Sequence, residues 1–212
     1  MNIKELSKEI YDNNVAKGFW KFETCPDCQG YEESQCRTCN LCNGTGKIRL
    51  ERNVGEMLML VISELSEALE ADRKKRYADL NTYRSIRLNG TYTKNEAFLE
   101  CIKDSVSDEL ADVAIRLMDI AYGMELDLDS RVDVLADFTE NTAENLLLIA
   151  GCLTMSYMAF ENDEKDEFQA GVVSAFRQTV KLAEKMGIDL QFHIRAKMDY
   201  NATRPFMHNK EY

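Results

Sequence analysis

Apolar positions recur along most of this chain at spacings of three and four, the period of a helix with one buried face. The clearest run is Glu56–Arg73, EMLMLVISELSEALEADR, where Met57, Leu58, Val61, Ile62, Leu65, Ala68 and Leu69 line one side. Asp108–Tyr122 repeats the pattern on Leu110, Ala114, Leu117 and Ala121, flanked by Val113 and Met118. Asn2–Trp20 reads as a first helix on Ile3, Leu6, Ile10 and Val15, with Gly18 as its stop. Short helical pieces are predicted at Asn95–Asp104 and Leu126–Leu135, and longer helices at Thr142–Phe160 and Glu167–Met186, the last stopped by Gly187. Between these, Tyr77–Thr93 is polar and carries the turn signal Asn89-Gly90, so it reads as a loop. Only two prolines interrupt the chain, Pro26 and Pro205. The pattern predicts an all-α fold.

The polar positions beside two of these stripes are acidic. Glu64 and Glu67 stand three apart on one flank of the first, and Glu109 and Asp112 stand three apart beside the second, with Arg116 and Asp119 nearby. One such pair is most simply a solvated helix face. Two pairs, each at the edge of a seam, place four carboxylates together if the helices pack antiparallel. Like charges at the edge of a packed seam repel and resist desolvation, and a divalent cation relieves both.

Residues 24–47 depart from this pattern, with five cysteines, three glycines and few aliphatic side chains. Cys25-Pro-Asp-Cys28-Gln-Gly30 and Cys39-Asn-Leu-Cys42-Asn-Gly44 share the form Cys-x-x-Cys-x-Gly, with ten residues between the pairs. Two such pairs predict a four-thiolate zinc site, with an iron–sulfur cluster as the alternative. Cys36, three before Cys39, is a fifth candidate ligand. A segment this short has almost no core, so the metal would hold it folded. Cys101 and Cys152 lie in apolar helical patterns and read as core thiols.

At 212 residues, 45% hydrophobic and 30% charged, the chain suits one domain with a sizeable core. A net charge of −11 argues against a broad nucleic-acid surface and suits a site that gathers cations. No apolar run approaches a membrane span, and the N-terminus lacks the apolar core of a signal peptide. Grouped cysteines point to metal binding in a reducing cytoplasm.

Two further groups carry a choice. Phe19, Trp20 and Phe22 form an aromatic cluster that reads either as core or as a wall against a base or sugar. In Ile194–Tyr212, Lys197, Asn201 and Arg204 fall on one helical face, which Arg204-Pro205 ends. That tail reads either as a solvated terminus or as a grip on a polyphosphate, and its scarcity of apolar residues predicts that the bundle survives its removal. There is also a weak echo: Ala121-Tyr-Gly-Met-Glu-Leu-Asp-Leu resembles Ala183-Glu-Lys-Met-Gly-Ile-Asp-Leu.

Glu64-Leu-Ser-Glu67 followed by Glu109-Leu-Ala-Asp112 resembles the paired signature of the MazG-like all-α nucleoside triphosphate pyrophosphohydrolases. Lys17-Gly18-Phe19-Trp20, the segment from Asn53 to Glu64, and Lys197–Lys210 resemble further segments of that family in the same order. The Cys segment resembles the zinc-binding repeats of the DnaJ chaperones, down to Cys39-Asn-Leu-Cys42-Asn-Gly44-Thr-Gly46, over about twenty residues; this implies a zinc fold without chaperone activity. The resemblance implies a helical bundle of the all-α pyrophosphatase type over residues 1–22 and 51–212, with a zinc-binding insertion at 23–50. It implies hydrolysis of a (deoxy)nucleoside triphosphate to monophosphate and pyrophosphate, and a homodimer or homotetramer. Glu64, Glu67, Glu109 and Asp112 would hold Mg2+, for which Mn2+ can substitute. Lys197, Asn201, Arg204, Lys210 and Trp20 would meet the substrate. The chain departs from the pattern in the 41 residues between Glu67 and Glu109 and in the insertion itself. The competing reading is a zinc-containing helical interaction module whose acids are structural.

Overall fold

The computed structural model describes residues 2–29, 39–132 and 138–209. Among these residues the chain forms eight helices and one two-stranded antiparallel ribbon, so it is an essentially helical protein. It divides into two compact units. The first comprises residues 1–11 and 54–204, and the second residues 12–53 and 205–212.

Helix α1 spans Ile3–Ala16, stopping short of the predicted Trp20. The chain leaves it through Gly18 at φ +86°, where a Cβ would lie 2.0 Å from the Phe206 ring. In the first unit, α5 (Val106–Gly123) is the central element, with Leu110, Val113, Ala114, Leu117 and Met118 fully enclosed. It packs against α2 (Val54–Arg73), α7 (Lys165–Lys185) and α8 (Leu190–Thr203), while α6 (Thr142–Glu161) covers α7 and α2. The Val106 N–H donates to the Arg76 carbonyl, so α5 starts where α2 ends and the two run antiparallel. Gly171 of α7 lets Ser156 of α6 approach closely: a Cβ there would sit 2.6 Å from the Ser156 Cβ. By length and composition α6 is also long and apolar enough to cross a membrane, and it leaves Leu147, Met155 and Met158 exposed.

Three expectations from the pattern are corrected. The segment 77–93 is not a loop: Asp79 caps α3 (Leu80–Leu88) by accepting from the Thr82 N–H, and Tyr83 packs beside Phe98 of α4 (Lys94–Cys101). A single buried tertiary contact outweighs the polar composition of that helix. Residues 126–132 are turns rather than a helical piece, tied down by Arg177, which donates to the carbonyls of Asp129 and Ser130, and by Gln169, which accepts from the Asp127 N–H. The rest of that expected piece lies outside the described residues. The tail does bury apolar side chains, against the expectation that it has few to bury. Ile194, Ala196 and Met198 of α8 are buried, Ala196 within the cluster of Tyr83, Phe98 and Ile102.

The echo at 121 and 183 is a shared helix ending. Leu126 N–H returns to the Ala121 carbonyl and Ile188 N–H to that of Ala183, both at 2.8 Å, through Glu125 at φ +60° and Gly187 at φ +70°. This is the six-to-one bond of a Schellman cap. The same bond closes α2 through Lys75 and α6 through Asp163, also at positive φ.

In the second unit, β1 (Phe22–Thr24) pairs with β2 (Lys47–Arg49) in the register Phe22↔Arg49, Glu23↔Ile48, Thr24↔Lys47. The ribbon was not foreseen in the sequence. It continues into the Cys25 N–H, which donates to the Gly46 carbonyl at 2.9 Å and so draws the two cysteine pairs together.

Candidate functional site

The antiparallel packing of α2 on α5 brings the acids together. Carboxylate oxygens of Glu64, Glu67 and Glu109 lie within 4.8 Å of one another. Glu64 and Glu109 are buried, and Glu67 is exposed. The fourth predicted acid, Asp112, is tied to a cation: Lys197 Nζ of α8 lies 2.6 Å from its Oδ2. The same ammonium lies 2.9 Å from Oδ2 of Asp108, a residue of the first turn of α5 that the pairing signature passes over. The signal for Asp108 was Ser105-x-x-Asp108. The Ser105 hydroxyl accepts the Asp108 N–H at 3.3 Å, and the Asp108 carboxylate accepts the Asp104 N–H at 2.9 Å, which fixes it at the helix start. Arg116, one turn past Asp112, holds Glu64 through Nε at 2.7 Å and Nη2 at 2.5 Å.

The electrostatics follow from burial of like charge. Burial, then the charges of Asp112 and Asp108, push the Glu109 carboxyl up to about 8. Burial also raises Asp108 to about 6, against the pull of Lys197. Glu64 is raised by burial and by Asp112, with Arg116 opposing. Burial would lower Lys197, but Asp112 and Asp108 outweigh it and hold the ammonium charged. A cluster this crowded with negative charge favours a cation. Its donors are all oxygens, the chemistry of magnesium or manganese rather than of a thiophilic ion. An octahedral ion with bonds of about 2.1 Å separates its ligands by roughly 3–4.2 Å, close to the spread of Glu64, Glu67 and Glu109.

The remaining predicted contacts fall as follows. Asn201 lies on α8, one turn beyond Lys197, and Arg204 caps that helix with its guanidinium 6.0 Å from the Tyr200 ring centroid. Trp20, in the second unit, is buried, with the guanidinium carbons of Arg49 and Arg52 at 5.2 and 4.9 Å from its ring. Lys210 and Cys36 lie outside the described residues.

The second unit gathers Cys25, Cys28, Cys39 and Cys42, all four sulfurs within 4.8 Å. Sγ separations are 3.7 Å for Cys25–Cys39 and 3.6 Å for Cys28–Cys42. Four thiolates at about 2.3 Å around one tetrahedral ion stand about 3.8 Å apart, so the cluster is sized for one metal such as zinc. In multi-iron clusters the thiolates attach to different irons and stand farther apart. The two knuckles turn alike: Gln29 and Asn43, each following the second cysteine of its pair, have φ +51° and +49°. Burial holds the Cys25 thiol up. Burial opposes the Cys42 thiolate too, but contacts with Cys39, the Gly46 amide and Cys28 outweigh it and bring the pKa to about 6, so in the metal-free cluster the neighbouring thiols support one thiolate. The core readings of Cys101 and Cys152 are as expected, both being buried.

No family model, curated protein or solved structure matches this chain.

Proposed function

We propose that this protein is a magnesium-dependent nucleoside triphosphate pyrophosphohydrolase of the MazG-like type, cleaving between the α- and β-phosphates, with a structural zinc in its cysteine unit. The reading rests on one observation above all: Glu64, Glu67 and Glu109 converge across the α2–α5 seam, beside Asp112 and a buried lysine. Glu64, Glu67, Glu109 and Asp112 would hold the magnesium. Bound there, it would neutralise phosphate charge, acidify a water and stabilise the departing pyrophosphate.

The chain's own residues divide the remaining work. Arg116 keeps Glu64 aimed at the cluster through two N–H groups. Glu67, the exposed member, is placed to orient the attacking water and take its proton. Asn201 and Arg204, on α8, supply amide and guanidinium donors that phosphate oxygens need. Lys197, buried on Asp108 and Asp112, adds positive charge behind the carboxylates rather than a direct grip; Trp20 and Lys210 join them only through the family resemblance. The protein acts in a reducing cytoplasm, as a homo-oligomer, without nucleic acid.

The test is a panel of ribo- and deoxyribonucleoside triphosphates with magnesium, products identified by ion-exchange chromatography. Monophosphate plus pyrophosphate is expected, with Glu64→Gln and Asp112→Asn each more than about a hundredfold slower and still helical. Diphosphate plus phosphate, or near-wild-type rates in either variant, overturns the reading.

A further inference from the structure

Lys197 holds an oxygen of Asp112 for which a bound cation would compete. Its ammonium is bonded to Asp112, a proposed cation ligand, and to Asp108, which is not one. The lysine side chain is 8% exposed, and a third side of the ammonium faces the Phe98 ring at 5.8 Å. The two aspartates differ in freedom. Asp108 is 1% exposed and locked by the Ser105 and Asp104 contacts at the start of α5. Asp112 lies one turn farther along the same face, its side chain 17% exposed. A divalent cation and an ammonium compete for the Asp112 oxygens, and the divalent charge prevails. The flexible four-carbon stem of lysine lets the ammonium let go of Asp112 without α8 moving.

We propose that Lys197 is the resident counter-ion of the carboxylate cluster, bonded to Asp112 in the metal-free protein and retained by Asp108 when a divalent cation takes Asp112. Asp108 is then a positioning residue. It divides the ammonium's attention, which weakens the hold on Asp112, and it keeps a positive charge beside the site where phosphate will arrive. The inference rests on the metal-binding reading above and adds how the site is held before the metal comes.

Binding of Mn2+ alone, followed by electron paramagnetic resonance of the free ion, tests it in a double-mutant cycle. Lys197→Met should tighten Mn2+ binding several-fold by removing the competitor. Asp108→Asn should weaken it about tenfold, because Lys197 then bonds Asp112 undivided. With Lys197→Met in place, Asp108→Asn should change binding less than about twofold. An equal loss in both backgrounds means that Asp108 acts only through its field, and the proposal falls while the metal site stands. A crystal structure of the Mn2+-loaded wild-type protein needs no variant: Lys197 is expected within hydrogen-bond distance of Asp108 and beyond about 4 Å from Asp112. An ammonium still bonded to Asp112 with the metal present overturns the proposal. A wild-type protein that takes up no Mn2+ removes the metal site itself, and the proposal with it.

Discussion

Glu109 makes the metal-free protein sensitive to alkali in a range where most carboxylates are silent. Its carboxyl holds a proton in the fold up to about pH 8, while in the unfolded chain it ionises from about 4.5. The folded state therefore binds more protons between these values, and stability falls as pH rises. Buried His193 works in the other direction: burial depresses it to about 4, so below its ordinary value the unfolded chain takes up the proton and stability falls on acidification. Between about pH 4.5 and 6.5 the Glu109 and His193 slopes oppose each other, with Asp108, raised to about 6, on the Glu109 side. From 6.5 to 8 Glu109 pulls stability down while the Cys42 thiol, brought to about 6, pulls it up, so the Glu109 share is the difference between wild type and Glu109→Gln. At 1.36 kcal/mol per unit the unscreened loss over that window is about 2 kcal/mol. Water reaching the cluster from the Glu67 side reduces it to about 1 kcal/mol, or roughly 2–4 °C in Tm for a chain of this size. The assay is a thermal melt by circular dichroism at pH 6.5, 7.2 and 8.0, on protein dialysed free of magnesium and manganese with its cysteine-bound metal retained. Glu109→Gln should remove the alkaline loss relative to wild type by about 1 kcal/mol, and saturating Mn2+ should do the same in the wild type, because the ion does for the carboxylate what the proton did. A Tm profile from 6.5 to 8 that is the same in the metal-free wild type and in Glu109→Gln refutes the reasoning.

Gly171→Ala drives a methyl into Ser156 Cβ and backbone, and should cost about 1–3 kcal/mol, read by urea denaturation. Removal of residues 194–212 takes away buried Ile194, Ala196 and Met198 and strips Asp108 of its lysine; about 5 kcal/mol or more is at stake, so the truncated chain should lose its cooperative melt. Glu125→Gly relieves a left-handed residue at the end of α5 and should raise stability by about 1 kcal/mol, measured as a shift in the urea midpoint at constant slope. Cys42→Ser should lower bound zinc, about one per chain in the wild type by plasma emission spectroscopy, while iron in its place would overturn the zinc assignment.

What the sequence by itself determined was everything carried by a local repeat. The three-four spacing of apolar residues placed α2, α5, α6 and α7 within a few positions of their ends, because burying one stripe is a property of each helix taken alone. Gly187 marked its own stop. Lys75, Glu125 and Asp163 close helices with the same backbone turn, yet nothing in their chemistry announces it. The cysteine pairs were legible for the same local reason, a Cys-x-x-Cys-x-Gly written twice. The ribbon that joins them was not, since three-residue strands leave almost no periodic signal. Helix α3 was missed because its one buried residue, Tyr83, gains its partner from α4.

The site divides along the same line. Each Glu-x-x-acid pair could be read from its helix, but the convergence of Glu64, Glu67 and Glu109 exists only across the α2–α5 seam. Lys197 read as a cation presented to phosphate or to solvent, because periodicity cannot tell which side of α8 will be enclosed. Packing α8 against α5 made that side the inner one, and a buried ammonium must then find buried carboxylates, here Asp108 and Asp112. Local spacing fixes which side chains share a helix face; only the packing of faces decides which charges must share a low-dielectric space, and so which of them need one another.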